Sequence, residues 1–108
     1  MIQYSIPFYG KPAATVRKVA GDTAKSLSDH SISLTSGSKK AVAAVISVET
    51  NDLRLAFAAT PTQVGNKLGH KYGDGQTVVL MGPEVDDAKF INDTNGSDAV
   101  MQITVLFE

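Results

Sequence analysis

The sequence lacks cysteine and carries almost no net charge. Without cysteine the chain can form no disulfide and no thiolate zinc site, and it has no thiol nucleophile, which fits a protein made in a reducing cytoplasm. Its ten Lys and Arg residues and eleven Asp and Glu residues give a formal charge of -1. Such a balance supplies no dense positive surface for nucleic acid or for an anionic membrane. We therefore expect partners of neither kind.

The sequence also lacks the pattern of a signal peptide or membrane span at its start. Its first residues, MIQYSIPFYG, contain no basic residue, and polar residues interrupt the apolar ones at every second position. A signal peptide needs a basic region before a continuous apolar run, and a membrane helix needs about 20 apolar residues. We expect a soluble protein, and 108 residues suffice for one domain with its own core.

Helical patterning is absent as well, and strand patterning takes its place. No window of a dozen residues has apolar side chains at the spacing of one helix face. Alternation of polar and apolar residues predicts strands over residues 2–8, 30–35 and Ala99–Phe107. Thr77–Met81 is apolar on both faces, which predicts a central strand. Residues 85–91 fit either a short strand or one helical turn, and we favour the strand.

Residues 46–57 predict a hairpin whose tip is the pair Thr-Asn. In that pairing Val48 lies opposite Leu53, and Ser47 lies opposite Arg54 on the other face of the ladder. The apolar side chains then share one face, which we expect to form part of the core. This inward set is Ile46, Val48, Leu53, Leu55 and Phe57.

Turn signals divide the rest of the chain. Pro61 ends a strand, because proline cannot donate to a β-ladder, and glycines mark the loop that follows. Residues 12–29 fit either a helical turn capped by Asp22 or an irregular arm. Seven to eight short strands at this spacing predict an all-β fold. We expect a single compact antiparallel β-sandwich or barrel, jelly-roll or immunoglobulin-like, over residues 1–108.

No residue pattern predicts catalysis or a cofactor. His30 and His70 could act as bases at neutral pH, but neither stands in a recognisable triad motif. Asp86 and Asp87 would point to opposite faces of a strand and suit no acid–base pair. The acidic turn at residues 93–98 lacks the closing Glu of a calcium loop, and the glycines match no phosphate-binding loop. We expect a non-enzyme with no metal and no cofactor.

Five segments of the chain, in order, resemble small virion structural proteins of tailed bacteriophages. They are AAVISVETNDLRLAF, TPTQVG, YGDGQTVVLMG, KFI and GSDAVMQITV, and the resemblance covers residues 42–107. The sequence departs from that family by lacking a glycine before Thr-Pro-Thr, by a longer loop after Gly65 and by Val-Leu-Phe where Val-x-Tyr is common. The matching positions are Val48, Glu49, Thr50, Leu53, Arg54, Pro61, Thr62, Gly65, Gly73, Asp74 or Gly75, Ser97, Asp98 and Ala99.

The resemblance implies a capsid decoration or cement protein, which binds the outside of the head and stabilises contacts between major capsid subunits. The expected partner is therefore the major capsid protein. The expected location is the capsid exterior of the virion, after synthesis in the host cytoplasm. Because capsid sites are symmetric, we expect a homo-oligomer, either a trimer or a dimer.

Residues 1–12 are open to two interpretations. They form either an N-terminal arm that binds the partner or the first core strand. As an arm, the segment would make its contacts through Ile2, Tyr4, Phe8, Tyr9 and Lys11.

Two other functions are compatible with the sequence. The first alternative is a phage tail or fibre-associated β-sandwich module that binds a host glycan or protein, with Tyr72 and Asp74 as the candidate contact patch. The second is a small regulator of a host enzyme, a class that usually carries the strong charge bias that this chain lacks.

Overall fold

Two antiparallel β-sheets face each other in the computed structural model, which describes residues 11–108. Two short helical segments accompany them: a 3₁₀ helix at Ser28–His30, and an α-helix, α1, at Glu84–Asp87. The strands are β1 Lys11–Pro12, β2 Val16–Ala20, β3 Lys25–Ser26, β4 Thr35–Ser36, β5 Lys39–Thr50, β6 Leu53–Phe57, β7 His70–Tyr72, β8 Thr77–Met81, β9 Ala88–Asn92 and β10 Ala99–Phe107.

The first sheet is built around β10 and β5, which pair along most of their length. Strands β1 and β2 pair with the free side of β10, while β4 and β8 pair with the free side of β5. The second sheet has the order β3, β9, β6, β7. The predicted all-β sandwich is confirmed. Among the described residues there are ten strands rather than seven or eight, because two-residue strands such as β1, β3 and β4 are too short to show alternation.

The core lies between the two sheets and contains the predicted inward set with one exception. Ile46, Val48, Leu53 and Leu55 are fully buried, together with the inward side chains of β10. The prediction was wrong for Phe57, which is 37% exposed. Phe57 is the last residue of β6, and the chain turns away at Ala58, whose φ is 51°.

The predicted hairpin at residues 46–57 is wrong. Strand β5 pairs with β10 and β8, whereas β6 pairs with β9 and β7, so the Thr-Asn link crosses from one sheet to the other. Ser47 therefore lies opposite Thr77 and Gln102 rather than Arg54. A hairpin and a crossing both place the same apolar side chains inward, so alternation does not distinguish them. Asn51 makes the turn with a φ of 61°.

The predicted strand at residues 30–35 is also wrong. Ser26 and Asp29 exchange hydrogen bonds, each backbone N–H donating to the other side chain at 3.1 Å. This reciprocal arrangement stabilises the start of the 3₁₀ helix, because side-chain acceptors compete with a strand ladder for the backbone donors. Of residues 30–35, Thr35 alone belongs to a strand. Within residues 12–29 the chain forms β2, β3 and the 3₁₀ helix, and no helical turn follows Asp22.

Two further predictions need correction at β8 and α1. Within the described chain β8 pairs only with β5, so it is an edge strand and not a central one, and its Val79 is 40% exposed. Residues 85–91 divide between α1 and β9, which means that the helical turn and the strand both occur, one after the other. Asp86 and Asp87 lie exposed in α1.

The predicted strand at residues 2–8 and four of the arm residues, Ile2, Tyr4, Phe8 and Tyr9, lie outside the described residues. Lys11, the fifth, opens β1 opposite Phe107. In the part of the chain that the structure describes, no helix has the length and apolar character needed to cross a membrane.

Candidate interaction surface

The segment between β6 and β7, residues 58–69, presents large apolar side chains to solvent. We call it the apolar loop. Val64 is 73% exposed and Leu68 is 49% exposed, and Phe57, which ends β6 directly before the loop, is 37% exposed. In residues 11–108 the other exposed large apolar side chains are Val19 and Val79, both in strands of the first sheet. Exposed apolar side chains concentrated in one loop mark a candidate contact surface.

The apolar loop is closed by two hydrogen bonds between its own residues Thr62 and Leu68. Thr62 donates its N–H to the carbonyl of Leu68 at 3.0 Å, and Leu68 donates its N–H to the Thr62 hydroxyl at 2.8 Å. Pro61 is fully buried at the start of the loop. Gly65 has a φ of 68°, which places a left-handed residue at the tip, where glycine costs least. These bonds join the two ends of the segment that contains Val64 and Gly65.

A charged cluster joins the loop to the second sheet. Arg54 on β6 donates from Nε to the Asp93 carboxylate at 2.6 Å and from Nη1 to the Gly69 carbonyl at 2.8 Å. Lys67 in the loop donates to the Asp93 carbonyl at 2.7 Å and lies 3.3 Å from its carboxylate. The loop is therefore tied to the sheet at Lys67 and at Gly69.

Asp93 is the centre of this cluster and is only 6% exposed. Burial by itself raises the pKa of Asp93, but the hydrogen bonds and positive charges of Arg54 and Lys67 outweigh it and hold the pKa below its ordinary value. Lys71 on β7 lies at the edge of the cluster, 3.9 Å from Asp93 and 3.3 Å from Asp52. The carboxylate therefore stays charged at neutral pH and keeps both cations in place.

A second network supports the same loop from the side of β9. Gln63 donates to the carboxamide oxygen of Asn92, which is fully buried at the end of β9. Asn92 in turn donates to Asp22 at 2.7 Å, and the Gly96 N–H donates to the same Asp22 oxygen at 2.8 Å. The hydrogen bonds from Asn92 and Gly96 lower the pKa of Asp22. Asp22 thus holds a turn together instead of capping a helix.

An open depression of about 420 Å³ lies against the apolar loop. Its walls come from the end of β6, the start of β7 and the loop itself, and exposed His70 forms one side. Among the lining residues only His70 carries an ionisable side chain, so the depression suits an apolar side chain of a partner. It is lined by Ala56, Phe57, Ala59, Leu68, Gly69 and His70.

Four of the residues that carry the phage-protein resemblance meet at this surface. Arg54 forms the charged cluster, Pro61 anchors the loop, Thr62 closes it and Gly65 forms its tip. All four therefore lie in or directly beside the apolar loop.

The remaining motif residues lie elsewhere and serve the core or turns. Val48, Leu53 and Ala99 are buried in the core, while Thr50 is exposed at the end of β5. Glu49 accepts a hydrogen bond from Gln102 at 2.7 Å. The turn of residues 73–76 contains exposed Asp74, and its Gly75 N–H donates to the Val48 carbonyl at 2.7 Å. Ser97 donates its N–H to Thr94, and the Asp98 carbonyl accepts from the Asn51 side chain.

Sequence reasoning missed the side chains that define the surface, namely Phe57, Val64, Lys67, Leu68 and Asp93. Val64 and Leu68 are single apolar residues among glycines and polar residues, so alternation does not find them. Asp93 is 39 residues from Arg54, and it stands in a turn-forming segment where an exposed acid is the ordinary expectation. The sequence did offer one signal for Val64 and Leu68: a large apolar residue that stands alone in a glycine-rich loop is often exposed.

Two residues that the sequence singled out, His30 and Tyr72, are buried or partly buried, whereas His70 is exposed. His30 is buried and its Nε2 has no hydrogen-bond partner. Burial lowers the pKa of His30, and the positive charges of Lys25 and Lys18 lower it further. Tyr72 packs against the core rather than facing solvent. Within residues 11–108 no group of three His, Cys, Asp or Glu side chains is placed to hold a metal ion.

Comparison with known proteins gives no match: no protein-family model, no curated protein and no solved structure matches this chain.

Proposed function

We propose that this chain is a non-enzymatic capsid decoration protein of a tailed bacteriophage. It binds the outside of the head and stabilises contacts between major capsid subunits. The observation that carries the proposal is the apolar loop, which presents Val64 and Leu68 to solvent and is held in shape by Arg54, Pro61, Thr62 and Gly65. These last four residues are also among the positions at which the sequence resembles virion structural proteins.

The fixed shape of the loop favours binding. A flexible loop loses conformational entropy when it is ordered at an interface, and a loop that is already ordered does not. Burial of one large apolar side chain contributes about 1.5 to 3 kcal/mol, so Val64, Leu68 and Phe57 together can anchor a contact. The depression beside Leu68 offers a place for an apolar side chain of the partner.

The charge of the chain supports a position on the outside of the head. Packaged DNA attracts proteins that carry many Lys and Arg residues, and this chain has a formal charge of -1. Lys67 and Arg54 are already paired with Asp93 in the charged cluster. The available binding energy therefore comes mainly from apolar contact and not from attraction to nucleic acid.

The proposal includes a homo-oligomer, either a trimer or a dimer, in contact with the major capsid protein. Capsid sites are related by rotation axes, so a decoration protein repeats each contact by symmetry. Several modest contacts on one oligomer then act together, and the linked binding is tighter than any single contact.

The experiment that tests the proposal is co-sedimentation with expanded heads that lack this chain. Binding at a fixed number of copies per capsomer, together with a higher disruption temperature of the pelleted heads, is the expected result. Heads that already carry the chain are the matched control and should take up no further copies. Absence of binding to empty sites would overturn the proposal.

A further inference from the structure

Strand β8 is an edge strand, and the hydrogen bonds at its two ends show which of its backbone groups face β5. Gly82 donates its N–H to the Val42 carbonyl, and Val48 donates its N–H to the Gln76 carbonyl, both at 2.9 Å. Bonded and non-bonded residue pairs alternate along an antiparallel ladder. The register between these two ends is unbroken, so the even-numbered residues of β8 bond to β5. The odd-numbered residues direct their N–H and C=O groups away from β5.

The middle of this outward side is open. The odd-numbered residues of β8 are Thr77, Val79 and Met81. Met81 donates its N–H to the Glu84 carboxylate at 2.8 Å, which closes one end of the edge. Within residues 11–108 no strand, turn or side chain bonds to the outward N–H and C=O of Val79. Val79 therefore presents one backbone donor and one acceptor to a strand of another molecule.

Strand β8 also lacks the residues that commonly protect a sheet edge. Natural edge strands are protected by charged side chains, by proline or by bulges. Among the described edge strands of three or more residues, β2 contains Arg17 and Lys18, and β7 contains Lys71. Strand β8 reads Thr-Val-Val-Leu-Met, and its Val79 side chain is 40% exposed. An incoming strand therefore meets no charge on β8 itself.

We propose that β8 pairs with β8 of a second copy of this chain, antiparallel and with a two-fold axis at Val79. An uncharged strand edge with equal donors and acceptors is complementary to itself when its direction is reversed. The axis sets the Val79 residues of the two copies opposite each other, where they exchange both N–H···O bonds. Their apolar side chains then lie together on one face of a continuous sheet. The bond between Met81 and Glu84 stays in place, because the exchange at Val79 does not use it.

The inference rests on the homo-oligomer included in the proposed function, and it names the contact that forms it. A contact in which both copies use the same strand closes after two copies, so it selects a dimer over a trimer. The apolar loop joins strands of the second sheet and takes no part in this contact. A dimer therefore presents two apolar loops to a head, and the linked binding is tighter than that of one loop.

Analytical ultracentrifugation of the native protein and of Val79→Lys, in the absence of heads, tests the inference. We expect a native dimer whose dissociation constant rises at least about tenfold in Val79→Lys, because two like charges would lie opposite each other at the axis. Val19→Lys is the matched control, since Val19 is 39% exposed in β2, and it should leave the dissociation constant unchanged. A native monomer or trimer at about 100 μM, or equal effects of the two substitutions, would overturn the inference.

Disulfide trapping tests the position of the axis, because the chain has no cysteine of its own. The Cα atoms of a hydrogen-bonded antiparallel pair lie about 5.5 Å apart, within the range of a disulfide. We expect Val79→Cys to form a covalent dimer under mild oxidation at least about tenfold faster than Val19→Cys, which is matched in exposure. Equal rates for the two variants would overturn the axis at Val79.

These experiments separate the inference from the proposed function because they use no heads. A monomer that still binds heads would overturn the β8 contact and leave the decoration role in place. A dimer that binds no heads would support the β8 contact and overturn the decoration role.

Discussion

At the scale of single residues, Asp93 does most to fix the apolar loop. Its carboxylate and carbonyl together accept hydrogen bonds from Arg54 and Lys67, and Arg54 also reaches the carbonyl of Gly69. A buried carboxylate is stable only when such partners compensate for the lost hydration. This one side chain therefore pairs with both cations and adds to the backbone contacts that Arg54 and Lys67 make at the loop.

We expect Asp93→Asn to lower the free energy of unfolding by about 2 to 3 kcal/mol, because it leaves Arg54 and Lys67 without their counter-charge. Urea unfolding at neutral pH measures this loss. Asp86→Asn removes an exposed carboxylate of α1 and should change stability by less than about 0.5 kcal/mol. Equal unfolding midpoints for the two variants would contradict the role given to the cluster.

The same carboxylate gives stability a dependence on acid pH. Because the pKa of Asp93 is lowered in the folded protein, its contribution is present above the ordinary carboxyl pKa and is lost as pH falls through the folded value. The stability difference between the native protein and Asp93→Asn should therefore shrink in strong acid.

His30 predicts a separate loss of stability at mildly acidic pH. Burial and the nearby Lys25 and Lys18 lower its pKa, so the folded protein favours the neutral ring. The stability is then complete above the ordinary histidine pKa of about 6.5 and falls as pH drops below it toward the folded value. Asp29 also faces His30, but Ser26 lowers the pKa of Asp29, which therefore remains charged through this range.

We expect His30→Gln to lose less stability than the native protein between about pH 7 and pH 5, because glutamine does not titrate. Urea midpoints measured at both pH values give the comparison. If the two proteins lost the same stability, protonation of His30 would not be its cause.

At the scale of elements, the apolar loop depends on its backbone conformation at the tip. Gly65 has a φ of 68° and no atom lies within 4 Å of the position that a Cβ would take. Gly65→Ala should therefore cost about 1 kcal/mol through backbone strain alone, which chemical denaturation measures.

Gly21→Ala is the matched control for that substitution. Gly21 has no left-handed backbone, and a Cβ there would meet Asp98 at 3.6 Å, an ordinary contact. The variant should be neutral or slightly more stable than the native protein, because alanine restricts the unfolded chain. Equal costs at both glycines would show that the tip of the loop carries no strain.

The strands and helices also show which parts of the fold the sequence patterns could predict. Alternation predicted β10 and the inward side chains of β5 and β6 except Phe57, and a short apolar run predicted β8, because burial of a strand face requires apolar residues at those positions. It could not distinguish a hairpin from a crossing between sheets, since both bury Val48 and Leu53. It also missed the 3₁₀ helix, where the bonds between Ser26 and Asp29 outweigh a weak alternation.

The candidate surface was harder to predict than the fold. The resemblance included Arg54, Pro61, Thr62 and Gly65 among its many matching positions, but it did not indicate that they surround one loop. The pairing of Arg54 with Asp93 joins residues that only the folded chain brings together, and no local pattern records such a pair. Val64 and Leu68 are recognised as important only when their exposure is known.

At the scale of the whole molecule, the two sheets present different surfaces. The second sheet carries the apolar loop and its charged cluster, and the first sheet carries the two exposed strand valines, Val19 and Val79. We propose that the apolar loop contacts the capsid. This division makes the apolar loop the central claim about function.

The most direct test of that claim is co-sedimentation of the double variant Val64→Asp with Leu68→Asp on expanded heads. Both side chains are exposed, so the variant should remain folded while a carboxylate at each position disrupts an apolar contact. We expect the native protein and Val19→Asp, an exposed valine of β2, to pellet with the heads, and the double variant to lose at least about tenfold in affinity. Native-like binding by a folded double variant would contradict the account.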